Sequence, residues 1–137
     1  MPIAPNQCTV FVQVWVDVNA LQQGSTQGCY AVSNRSQQSS GEGTPDLNVS
    51  VITGSNVCWS VLPIDPQYNG DFQITAVGAQ SGWNTPPQPV ANNPNMFTGQ
   101  LSKATVGGTV NSNIAFSYNG GNDITVTLPM VITPVAA

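Results

Sequence analysis

A chain of 137 residues with 40% hydrophobic side chains, 6% charged ones and a formal net charge of −4 suits one core-forming domain over residues 1–137. It has no histidine, one glutamate (Glu42) and two basic residues, Arg35 and Lys103. That set argues against nucleophilic triads, which need a base beside the nucleophile, and against nucleic acid or anionic membrane, which need clustered Lys and Arg.

The first residues, MPIAPNQC, lack the positive n-region of a secretory signal, and the apolar run that follows is interrupted by Gln13 and Asp17. A cytoplasmic location without a membrane span is expected, with export by a route needing no signal peptide left open. Residues 8–18 place Val10, Val12, Val14, Val16 and Val18 on one side and Phe11, Gln13, Trp15 and Asp17 on the other, the period of a half-buried strand. Ala20 to Gln23 supports at most one helical turn, closed by Gly24. A second strand is expected from Gly28 to Ser33, followed by a turn-rich stretch with Gly41, Gly43 and Pro45. Leu47, Val49 and Val51 alternate with polar residues, and Gly54-Ser55-Asn56 leads into Val57 to Leu62, so the pair reads as a β-hairpin.

Phe72, Ile74 and Ala76 share one face of a strand over residues 71–79. Pro86, Pro87, Pro89 and Pro94 lack backbone donors, so residues 82–94 are expected to form a stiff, exposed loop displaying Trp83. Further strands are expected over 96–104, 113–118 and 124–133, the last two joined by Asn119-Gly120-Gly121-Asn122, with Pro129 at an edge or bulge. Seven or eight short strands without a helix of consequence predict an all-β fold, an antiparallel two-sheet sandwich.

Three groups of residues are candidates for chemistry. Asp65, Asn69 and Asp71 offer hard oxygens to a calcium ion, but without the order or the bidentate Glu of an EF-hand; the competing reading is a turn whose side chains bond their own backbone. Trp83, with Asn84, Asn92, Asn93 and Asn95, suits stacking and hydrogen bonding to a glycan, whereas Trp59 alternates with Val57 and Val61 as a core residue would. Trp15 is suited to cover a sheet face or an interface. Cys8, Cys29 and Cys58 are odd in number and lack CxxC spacing; buried free thiols are expected, with one bridge and a spare thiol as the alternative. No catalytic residue and no cofactor other than that calcium is indicated.

The order of local patterns adds a resemblance. FVQVWVDVNAL, then GCYAVSN, then GEGTPDLNVSVITGSNVCWSVLPIDP, an Asn/Pro-rich middle and a closing hairpin resemble the bacterial inclusion-body proteins of the PixA/AidA family. The closing strand departs from the family's aromatic-Asp-Pro-aromatic pattern, with Leu128-Pro129-Met130 in its place. The resemblance implies a small β-sandwich without catalytic residues. It also implies a cytoplasmic protein made in quantity, in some cases under cell-density control, that packs into inclusions and accompanies interactions with animal hosts. The 14 Asn, 12 Gln, 12 Ser and 12 Thr make a nearly neutral surface with little repulsion between copies. Self-association through such surfaces and through open strand edges, giving a homo-oligomer, is the expected behaviour. A carbohydrate-binding module, with or without calcium, is the alternative.

Overall fold

The computed structural model describes residues 3–18, 29–34, 40–41, 43, 47–64, 72–78, 83–90, 93–102, 110–111, 113–119, 123–128 and 130–135. Among the described residues a 3-10 turn at Pro5–Gln7 is followed by eleven strands: β1 (Val10–Val16), β2 (Tyr30–Ser33), β3 (Asn48–Ile52), β4 (Asn56–Pro63), β5 (Phe72–Val77), β6 (Trp83–Val90), β7 (Asn93–Leu101), β8 (Val110–Asn111), β9 (Ile114–Asn119), β10 (Asp123–Leu128) and β11 (Val131–Val135). The short helical turn expected at Ala20 to Gln23 lies outside the described residues.

One layer is a five-stranded sheet in the order β2-β1-β4-β7-β6. The other combines the groups β10-β9-β5 and β3-β11-β8. These two groups keep one register: Asn111 faces Val131, and three residues further along each strand Ile114 faces Leu128. The interruption between them falls at Asn113; Pro129, expected at an edge or bulge, lies outside the described residues. There the Asn113 side chain takes over the ladder's work, its Oδ1 accepting the Met130 N–H at 3.2 Å.

The valines of β1 are at most 3% exposed and point between the layers, as their alternation requires. They meet Val49, Val51, Ile74, Ile114, Phe116 and Ile132 from the opposite layer in one buried cluster. Phe72 and Phe116 add an edge-to-face contact at 6.2 Å between ring centres.

Three expectations change. The β3/β4 pair is not a hairpin: at Thr53–Gly54 the chain crosses from one layer to the other. The Thr53 N–H bonds Val135 O in one layer and the Gly54 N–H bonds Leu101 O in the other, with Gly54 at φ 87°. Both strands bury one face in the same core, so their alternation is the same whether they lie side by side or face to face. The sandwich is also not wholly antiparallel. β1 pairs with β4 and β3 with β11 in parallel, because each strand returns to its sheet after a passage through the opposite layer.

Third, residues 83–90 are an edge strand and not a loop. The prolines are tolerated because β6 lies at the sheet's border and its ladder with β7 slips, once between Thr85 and Gln88 where Pro86 and Pro87 sit. The close approach needs Gly99 in β7. A Cβ there would stand 3.1 Å from Thr85 O and 3.2 Å from Pro87 Cα, both backbone atoms that cannot swing aside. Gly99→Ala is expected to destabilise the fold by about 1–3 kcal/mol, read as a lower urea midpoint. An unchanged midpoint would show that β6 slides freely on β7.

Candidate functional site

Side chains that alternate away from the core form the outer face of the five-stranded sheet, and the register lines them up in rows. Trp15 stands opposite Tyr30 on one side and Leu62 on the other. Gln13 lies between Val32 and Ser60, and Ser60 faces Met96. Phe11 faces Cys58, which faces Thr98. Phe11 is 39% exposed and Ile64, just past β4, 43%; Trp15, Tyr30, Val32, Leu62 and Met96 are half-buried. The three rows contain no charged side chain; Asp17, half-buried, follows Trp15 on the same side of the chain, beside Ile64.

At one end of the face Asn34 ties the end of β2 to the start of β1. Its Oδ1 accepts the Phe11 N–H at 2.9 Å and its Nδ2 donates to Thr9 O at 3.0 Å, which extends the β1/β2 ladder beyond β2. A shallow depression of about 230 Å³ lies there, lined by Phe11, Gln13, Val32, Ser33 and Asn34. The Phe11–Cys58–Thr98 row is covered in part by the N-terminal segment. Thr98 Oγ1 donates to Ile3 O at 2.7 Å, and Asn56 Nδ2 donates to Gln7 O at 3.0 Å.

The edges of this sheet are less available than its face. β6 carries Pro86, Pro87 and Pro89, which cannot donate to an added strand. At β2, Ala31 O already accepts the Gly43 N–H at 2.8 Å.

The residues singled out for a glycan are spread along the β6/β7 pair. Trp83 opens β6, is 8% exposed and packs edge-to-face on Trp59 with ring centres 5.4 Å apart, so it does not present an open stacking face. Its indole N–H has no hydrogen-bond partner among the described residues. Asn84 is exposed and its Nδ2 donates to Gln100 Oε1. Asn95 is half-buried and its Nδ2 donates to Val61 O at 3.2 Å. Trp83 pairs with Leu101 at one end of the ladder and Val90 with Asn93 at the other, so Trp83 and Asn93 are separated by about 20 Å at a strand's rise per residue. Asn92 and the calcium candidates Asp65, Asn69 and Asp71 lie outside the described residues, as does Glu42.

What these three rows can do chemically is bury apolar and aromatic surface against a partner, with Asp17, next beyond Trp15 on the same side of the chain, the charge that such a contact must leave in water or pair. The odd-numbered side chains of β1 were legible as a separate face. Their neighbours Tyr30, Leu62 and Met96 come from strands whose order the sequence does not state.

The fold is similar to the crystal structure of an inclusion body protein, PixA, from Burkholderia cenocepacia, with a TM-score of 0.63 over 98% of this chain and 99% of that one, at 14% identity. At that identity the likeness is one of fold. No curated protein matches the chain. Among the described residues no helix is long and apolar enough to cross a membrane. The family described as a domain of unknown function, DUF8788, matches residues 8–124, nearly the whole sandwich from Cys8 into β10, and the chain belongs to that family.

Proposed function

We propose that this protein is a non-catalytic, inclusion-body-type β-sandwich that assembles with copies of itself, face to face through the outer side of the five-stranded sheet. The observation that carries the reading is the uncharged Tyr30–Trp15–Leu62 row, flanked by exposed Phe11 and Ile64. A second copy is the natural occupant because the same face is present on every molecule, and a two-fold pairing is self-complementary without charge matching. With six acidic and two basic residues in the chain, little long-range repulsion opposes the approach of copies. The blocked edges at β6 and β2 favour the face over strand addition. Likeness in fold to an inclusion body protein over nearly the full length of both chains supports the same reading.

Sedimentation equilibrium tests it. The wild-type chain is expected to give masses above the 14.3 kDa monomer. Trp15→Gln combined with Leu62→Gln is expected to weaken association at least about tenfold, equivalent to roughly 1.4 kcal/mol, with an unchanged circular dichroism spectrum. A wild-type protein that stays monomeric near about 1 mM, where even weak contacts register, would sink the proposal.

A further inference from the structure

Two of the three thiols meet on the outer side of the five-stranded sheet. Cys58 points away from the core, since its neighbours Val57 and Trp59 point into it, and it is 2% exposed because the N-terminal segment lies over it. Cys8 ends that segment; it is 8% exposed, its Sγ donates to Ala4 O at 3.8 Å, and it lies near enough to the Cys58 thiol for each to perturb the other's ionisation. The segment is otherwise tied down by two side chains, Thr98 to Ile3 O and Asn56 to Gln7 O. Cys29 stands apart. It precedes Tyr30, which faces Trp15, whereas Cys58 faces Phe11; continuing the register separates Cys29 from Cys58 by roughly 17 Å along β1, beyond the reach of a disulfide.

We propose that Cys8 and Cys58 form a redox couple whose oxidation by a small-molecule disulfide, such as oxidised glutathione, covalently fastens the N-terminal segment to β4, leaving Cys29 as the unpaired thiol. The Cys8 thiolate attacks one sulfur of oxidised glutathione, forming a mixed disulfide and releasing one glutathione thiol. Cys58, after losing its proton to solvent, attacks Cys8 Sγ and expels the second. Two S–H bonds of the protein are replaced by one S–S bond, and the oxidant takes up two electrons and two protons as two glutathione thiols. Cys8 reacts first because it is the less buried. Burial pushes both thiols up, Cys58 to about 12, so the exchange is slow near neutral pH and faster in base. The oxidant reaches Cys8 when the N-terminal segment lifts, and the bridge then prevents it from lifting again.

The wild-type protein is incubated with oxidised glutathione in one arm as the folded protein and in a second arm during refolding from urea, so that slow access to the thiols does not decide the result. The expected product has lost the mass of two hydrogens and carries no glutathione. Chymotrypsin, which cleaves after Phe11 and Trp15 and so separates Cys8 from Cys29, is expected to release a linked pair containing Cys8 and Cys58. The melting temperature is expected to rise by roughly 5–10 °C, as for closure of a long loop, and Cys8→Ser is expected to abolish that rise. Linkage through Cys29, or glutathione adducts in both arms without a Cys8–Cys58 bridge, would overturn the proposal.

Discussion

Trp59→Ala is expected to remove about 3–5 kcal/mol of stability, the range found when large aromatics are truncated in well-packed cores. Trp59 is 1% exposed and lies in the inward row between Val12 of β1 and Phe97 of β7. Its ring also meets Trp83 edge-to-face at 71°, so it joins three adjacent strands and the border strand β6 in one contact. Native domains are stable by roughly 5–15 kcal/mol, so the loss would be a large part of the total. Urea unfolding followed by circular dichroism measures it, and Trp59→Phe, which keeps a ring in place, is expected to lose less. A loss below about 1 kcal/mol for the alanine variant would mean that the layers are not held together through this row.

Alkaline pH is expected to destabilise the reduced protein steeply. Burial is the first cause of a raised pKa at all three thiols, and at Cys58 burial together with the neighbouring Cys8 thiol carries the value from an ordinary 9.0 to about 12. Between those values the unfolded chain has lost the Cys58 proton while the folded protein keeps it. The folded state therefore binds more protons, and stability falls as pH rises. The contribution is complete below about pH 9 and is lost towards pH 12, at about 1.4 kcal/mol per pH unit for this one group. Urea unfolding in the presence of a reductant across that window is expected to show the decline, and Cys58→Ala to flatten part of it. Equal slopes for the two proteins would refute the assignment to Cys58. Oxidation to the Cys8–Cys58 bridge removes the titrating thiol, so the oxidised protein is expected to follow the flatter curve.

The face proposed for assembly was half visible in advance. The separation of Phe11, Gln13 and Trp15 from the valines follows from the two-residue period of a strand and needs no structure. Completing the face requires Tyr30, Leu62 and Met96, which lie 15 or more residues away and arrive through one antiparallel, one parallel and a further antiparallel pairing. The same holds for the thiols. Their number and lack of metal spacing were readable, but the meeting of Cys8 and Cys58 depends on β4 lying beside β1 in parallel and on the N-terminal segment folding over the sheet.

Local composition misled where a tertiary rule overrode it. The prolines of residues 86–89 forbid a central strand but not a border strand with a slipping register, and only the position of β6 at the end of the sheet distinguishes these cases. Likewise the Thr53–Gly54–Ser55 turn suits a hairpin and a change of layer equally well.

The amino-acid order by itself determined that the protein is all-β, that its valine faces are inward, and that it lacks histidine and clustered charge. Each of these depends on side-chain period or residue chemistry, which are properties of the covalent chain. Which strands are neighbours, which pairs run parallel, and which surface residues share a face were decided only by the packing of two layers around one core. Identical alternation patterns can be paired in many ways. The choice among them is made by the burial of Trp59, Phe116, Leu101 and their neighbours together, a property of the assembled sandwich and not of any one strand.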